Sequence, residues 1–232
     1  MILKCAIMQP TYLPWAGYFS MISNVDKFVF FDDVQFARRS WQQRNRIILN
    51  KQEKWLTVPV EKKGKRDQLI LEVEVLNDGW RNSHSELLKQ AYQKHPYFRD
   101  VQQIFEESVL NNSSDLLCDI NIQFISTVMR YLEIDTEILY SSQLQSTGKK
   151  SEYLLKICEE IDADTYVSAP GSLEYITEEG YFSSSIKVEK FDFVPKKYNQ
   201  KCTENFIPYL SILDVIANLG RDGTKEYLKL EI

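Results

Sequence analysis

Apolar positions along the chain fall in short dense runs divided by polar breaks. Residues 3–8 form an apolar run that reads as a buried first strand. The break from Gln9 to Pro14 follows it. Residues 14–22 then carry an apolar helical face, with Pro14 suited to the first helical position. Residues 27–31 read as a second buried strand that ends at Asp32 and Asp33. Strand, loop, helix and strand within about 30 residues make one βαβ unit. Such units build parallel sheets that bind ligands at the carboxyl ends of their strands.

The middle of the chain has a different rhythm. Residues 46–50, 54–60 and 68–75 alternate like strands, with a charged turn at 62–65. They predict a small antiparallel excursion. Helical periodicity follows over 82–94, stopped by His95 and Pro96, and again over 98–109. Ser114 and Asp115 are placed to cap a longer helix running to about Leu132. Residues 137–140 read as a strand returning to the sheet, 151–161 as a helix capped by Ser151, and 165–168 as another strand. A turn at 169–172, a late strand over 186–191 and an apolar helix over 210–219, stopped by Gly220, complete the pattern. The prediction is one α/β domain over residues 1–232. Its core is a mainly parallel sheet, Rossmann-like or nucleotidylyl-transferase-like, and a helical region over 80–135 packs on it or is inserted into it.

The 232 residues suit one large domain or two small ones. Hydrophobic residues at 44% and charged residues at 26% are ordinary globular usage and argue against global disorder. The longest apolar runs, 28–31 and 210–216, are far shorter than a membrane span. No signal-peptide pattern opens the chain, and the expected location is the cytoplasm. A net charge of −5 disfavours nucleic-acid binding. Cys5, Cys118, Cys158 and Cys202 are scattered and read as reduced core residues. With two histidines, no metal set is apparent.

Against that background the arginines are unevenly placed. Arg38, Arg39, Arg44 and Arg46 lie close together beside Trp41. An acidic chain that concentrates arginines and aromatics in one stretch suits an anion pocket better than a diffuse basic surface. The Asp32–Asp33 pair at the preceding strand end could hold a metal, orient an amine or act as a base. Gln35 and Asn45 belong to the same polar block. The bland alternative is a surface ion-pair network. In the first loop, Gln9, Thr11, Tyr12, Trp15 and Tyr18 surround a position suited to a phosphate-bearing ligand. The loop spacing resembles the first motif of nucleotidylyl transferases and pantothenate-synthetase-like ligases. Trp15 and Tyr18 replace the histidines those families use, so their catalytic role does not carry over. Lys149 sits in a Ser/Thr/Gly/Lys loop over 141–151, of anion-binding composition or simply a solvated loop capped by Ser151, and Ser168 opens a loop readable as another rim of the same pocket or as a plain turn. His84 is a candidate general base, weighed against a structural role.

Residues 8–19, 32–46 and 55–60, with Tyr166-Val167-Ser168, Tyr175 and residues 210–214, resemble the WbqC-like protein family. The resemblance spans essentially the whole chain. It implies a place in bacterial surface-polysaccharide synthesis, notably O-antigen. It also implies acyl or aminoacyl (glycyl) transfer onto an amino sugar or nucleotide-sugar. In that reading the arginines hold phosphate or carboxylate, and Asp32 or Asp33 takes a proton or binds magnesium. Tyr12, Trp15 and Trp41 form the walls. The cofactor is unidentified, a nucleotide with Mg2+ being the candidate, and the partner is a small-molecule substrate. Nucleotidylyl transfer, and a non-catalytic sugar- or peptide-binding role in a biosynthetic complex, are the alternatives.

Overall fold

The computed structural model describes residues 2–61, 63–65, 67–169, 186–201 and 204–230. Five of its strands form one sheet: β1 (Lys4–Met8), β2 (Lys27–Phe30), β5 (Glu137–Tyr140), β6 (Thr165–Ser168) and β7 (Lys187–Lys190). Their spatial order is β5-β2-β1-β6-β7, and every neighbouring pair is parallel. The chain thus builds outward from β1 to β2 and β5, then returns to the other side of β1 for β6 and β7. The direction of building reverses between β1 and β6. Parallel α/β sheets open a crevice at such a point, outside the carboxyl ends of the strands.

Successive strand residues face opposite sides of the sheet, and this alternation assigns two cores. Ala6, Phe28 and Phe30 face a large apolar cluster shared with Phe19, Phe124 and Ile216. Those partners come from α1 (Ala16–Ser23), α4 (Leu117–Leu132) and α6 (Ile212–Leu228). Cys5, Ile7 and Val29 face the opposite side, where Leu154, Ile157 and Cys158 of α5 (Lys150–Glu160) cover them. The large cluster also takes in Leu88 of α2 (Trp80–Tyr92) and Val101 and Ile104 of α3 (Phe98–Phe105). The helical region therefore shares the core of the sheet.

The antiparallel excursion is a two-stranded ribbon of β3 (Arg44–Leu49) and β4 (Gln52–Thr57). Asn50 and Lys51 at its turn both have positive φ, 54° and 66°, the geometry of a tight hairpin whose twist matches its strands. The strand expected over 68–75 is instead a short 3₁₀ turn, Ile70–Glu72, flanked by isolated bridges. Its amides find partners singly: Ile70 N donates to Val34 O, Leu71 N to Asp32 O, and Val75 N to Asp115 O. Among the described residues no continuous neighbour lies alongside to make a ladder.

Several expected boundaries also move. Helix α1 begins at Ala16 with Trp15 as its cap, so Pro14 lies outside it. The Pro14 carbonyl accepts from Ile212 N at 2.8 Å. Ser114 accepts from Leu116 N, one turn ahead of α4, and does not cap that helix. Ser151 lies inside α5, with Lys149 at the cap position. Gly220 kinks α6 (φ 67°, ψ −167°) without ending it. The expected turn at 169–172, apart from Ala169, lies outside the described residues, as do Tyr175 and Cys202.

Candidate functional site

The break after β1 is held by amide side chains. Asn45 Nδ2, on β3, donates to the carbonyls of Leu13 (2.7 Å) and Tyr12 (3.3 Å). Asn121 Nδ2, buried on α4, donates to the carbonyls of Gln42 (2.8 Å) and Pro10 (3.2 Å). Gln42 Nε2 donates to Gln9 Oε1 at 2.7 Å, and its own oxygen accepts from Ala37 N. Tyr12 N donates to Trp41 O at 2.9 Å. Extended loop backbone that finds no strand partner must be satisfied otherwise. Here two buried amides, Asn45 and Asn121, satisfy it, and with the Gln42–Gln9 side-chain bond they lock the first loop to the segment that carries Trp41 and Arg46. Leu13 takes a positive φ of 46° within this arrangement.

Two cavities open beside this loop. The first, about 290 Å3, lies at the carboxyl ends of β1 and β6, where the sheet order reverses. Its walls include Met8, Gln9, Thr11, Trp41, Gln42 and Ala169. The second, about 340 Å3, lies between the loop, the start of α1 and β3. Trp15, Tyr18, Trp41, Asn45, Arg46 and Tyr209 line it. Met8, Thr11 and Trp41 belong to both, so one partition separates them. A larger cleft of about 560 Å3 lies elsewhere, over β7 and the end of α6, lined by Lys4, Lys190 and Lys229 among others. None of its lining residues belongs to the two polar loops singled out in the sequence. The two smaller cavities lie where α/β sheets bind ligands.

The expected site residues divide around these cavities. Gln9, Thr11, Trp15, Tyr18, Trp41, Asn45 and Arg46 line one or both. Tyr12 is fully buried and points into the core. There its hydroxyl lies 2.8 Å from His84 Nδ1. His84 packs edge-on against Trp80, and burial lowers its pKa to about 4. It is a neutral core residue and lines neither cavity.

Of the four arginines, Arg46 reaches a cavity wall, and its Nη1 is paired with Glu53 at 2.7 Å. Arg44 lies over the Trp55 ring at 4.3 Å. Arg38 is exposed and donates to Lys65 O. Arg39 is exposed with a positive φ of 59°. The four guanidinium groups do not converge on one point. Gln35 is exposed and donates to Asp67. Lys149 is exposed ahead of α5, while Ser168 is buried at the end of β6, beside the first cavity.

The acidic pair is tied to the loop after β5. Asp32 is buried and accepts from Ser142 N (3.0 Å), Ser142 Oγ (2.7 Å) and Ser141 Oγ (3.0 Å). Asp33 is half-buried, with Ser141 Oγ and Tyr153 OH each 2.5 Å from one of its oxygens. All four carboxylate oxygens therefore meet a donor, and the two side chains share the Ser141 hydroxyl. Burial, then the bond to Asp33, pushes the Tyr153 phenol well above its ordinary pKa. Among the described residues, no three His, Cys, Asp or Glu side chains gather as a metal set. No helix among them is long and apolar enough to cross a membrane.

Sequence reading missed Asn121 and Tyr209, and it gave Gln42 and Ser141, though inside the polar blocks it singled out, no role of their own. An asparagine or glutamine in a polar-looking stretch carries no periodic signal, and Tyr209 sits in irregular chain. One signal was available: Asn121 lies on the otherwise apolar face of α4, among Cys118, Phe124 and Ile125, where a polar side chain needs partners.

Comparison with known proteins follows the same outline. Residues 9–226 match the WbqC-like protein family. The chain is 32% identical to an uncharacterised protein of Mycobacterium tuberculosis over 226 residues, covering 97% of each chain. No solved structure gives a significant match.

Proposed function

This chain belongs to the WbqC-like protein family, and from that membership and the cavity at the β1–β6 reversal we propose a transferase or ligase of surface-polysaccharide synthesis. Its substrate is a nucleotide or nucleotide-sugar, of which the 290 Å3 cavity takes in one part, and the group moved is acyl or aminoacyl, with an amino sugar as acceptor. The observation that carries this reading is the position of the first cavity. It sits outside the carboxyl ends of a parallel sheet, at the one place where the strand order turns back. Gln9 and Thr11 bring polar side chains to it. The Thr11 hydroxyl has no partner among the described residues, so it is available to a ligand.

In this reading the chain works chiefly by placement. The Asn45 and Asn121 clamps keep the first loop in one conformation, so its polar groups meet the substrate without reorganising. Asp32, with three donors, braces the end of β2. Asp33, half-buried and two residues beyond Phe31 of the first cavity's wall, is the residue we assign to accept a proton from the attacking amine. Mass spectrometry tests this directly, by incubating the protein with nucleotide-linked amino sugars, ATP, magnesium and glycine or acyl-CoA. An aminoacylated or acylated sugar supports the proposal. Pyrophosphate release without such a product points to nucleotidylyl transfer.

A second reading has its own support. His84, Asp32 and Asp33 line neither cavity, and both aspartates are already hydrogen-bonded, so neither wall carries a carboxylate or imidazole. A non-catalytic sugar-binding partner would need none. Ligand binding with no product from any donor would establish that reading instead.

A further inference from the structure

The second cavity has a chemistry distinct from the first. Trp15, Tyr18, Trp41 and Tyr209 contribute four aromatic side chains to its wall. Trp41 and Tyr209 remain 46% and 48% exposed, unusual for such large rings. Trp15 and Tyr209 meet edge to face at 5.1 Å and 62°. They form a corner, whereas a flat base held between two rings needs parallel walls. Trp15 keeps its place because residue 17 is glycine: a Cβ there would collide with the indole ring. Tyr209 is held with a positive φ of 59°, a conformation that costs energy in a bulky residue and clusters at ligand sites.

The charge balance narrows the ligand. Arg46 is the charged residue on this wall, and Glu53 already neutralises it. Its Nη2 also lies 3.4 Å from the Tyr209 carbonyl. The cavity thus offers aromatic faces, a matched charge and a few polar groups at its edge, among them Thr11. A pyranose ring presents the complement, with apolar C–H faces and a polar equator. At about 340 Å3 the space is at the small end of the roughly 300–1,000 Å3 typical of ligand pockets, suited to one ring.

We propose that the Trp15–Trp41–Tyr209 cavity is a separate subsite for one neutral hexopyranose ring, with Trp41 as its stacking platform. This rests on the transferase reading for its biological sense, since the ring would be that of the acceptor. The shared Thr11–Trp41 partition puts it beside the substrate in the first cavity.

Saturation-transfer NMR on the full chain tests it, using N-acetyl-D-glucosamine, N-acetyl-D-galactosamine and D-glucose, with glucuronate and adenosine as contrasts. At least one neutral sugar binds, more tightly than glucuronate or adenosine. Trp41→Ala, at an exposed position, weakens that binding about tenfold. Gly17→Ala, which displaces Trp15, also weakens it, while Leu76→Ala, at an exposed apolar position outside the cavity wall, leaves it unchanged. Circular dichroism confirms that each variant is folded. Binding of no neutral sugar, tighter binding of adenosine, or unchanged affinity in both Trp41→Ala and Gly17→Ala overturns the proposal. Sugar binding that persists while no nucleotide binds anywhere would sink the transferase reading and leave this subsite standing.

Discussion

The Tyr12 hydroxyl meets His84 Nδ1 at 2.8 Å inside the core, joining the loop after β1 to helix α2. Burial lowers the His84 pKa from 6.5 to about 4. The unfolded chain therefore binds a proton that the folded chain refuses between these values. Stability from this site is complete above about pH 6.5 and is lost as pH falls toward 4, by roughly 3 kcal/mol at most. Urea denaturation at pH 7 and pH 4.5 measures it. His84→Gln should flatten the dependence; an unchanged slope in that variant would remove His84 from the account.

The two aspartates should respond differently to amidation. Asp32 accepts from a backbone amide and a hydroxyl at one oxygen and from the Ser142 hydroxyl at the other while buried, so an amide there weakens the first pair and forces the Ser142 hydroxyl to reverse. Asp32→Asn is expected to cost about 2 kcal/mol. Asp33 is half-buried and its partners are hydroxyls, which can turn to accept. Asp33→Asn should cost less than about 1 kcal/mol. Denaturant midpoints test both. If Asp33→Asn also keeps full turnover, it is not the proton acceptor.

Asn121 should matter well beyond its own helix. Its Nδ2 satisfies the Pro10 and Gln42 carbonyls, and Asn121→Ala leaves both without that donor. The expected loss is about 1–3 kcal/mol. Faster hydrogen exchange at the Tyr12 amide, which donates to Trp41 O, would show that the loop itself has loosened. A loss of stability with unchanged exchange at Tyr12 would mean Asn121 supports α4 alone.

Gly220 combines a positive φ of 67° with a close approach to the Tyr97 ring. Gly220→Ala meets both strain and collision, and should destabilise by more than about 1 kcal/mol. Thermal denaturation checks it, and a neutral result would show that α6 can straighten.

The sequence pattern made the sheet legible because fully buried parallel strands are continuous apolar runs bounded by turns, as residues 3–8 and 27–31 are. Strand order was not legible, since periodicity does not say which edge of β1 receives β6. Alternation misled at residues 68–75. Gln68 and Ile70, then Val73 and Val75, are buried there, but the alternation shifts phase by one residue across the 3₁₀ turn, and the backbone lacks a continuous partner among the described residues. Gly220 read as a stop because glycine commonly ends helices; its positive φ does interrupt the regular helix, and tertiary packing carries the helix past it. In the site, the first loop and Trp41 stood out by composition. The arginine cluster promised a convergence that β3 does not deliver. Along a strand, Arg44 and Arg46 share one face, where Trp55 and Glu53 occupy them, and Arg38 and Arg39 lie in the exposed turn before it.

The most direct test of the central claim is a thermal shift of the full chain against ATP, CTP, nucleotide-sugars and acyl-CoA, with and without magnesium. A ligand at ~100 times its Kd adds about 2.7 kcal/mol, which for a chain of this size raises Tm by several degrees. The account predicts a shift with one nucleotide class, reduced in Gln9→Ala and Thr11→Val because both residues line the cavity at the β1–β6 reversal. No shift with any nucleotide, or an equal shift in both variants, would contradict it.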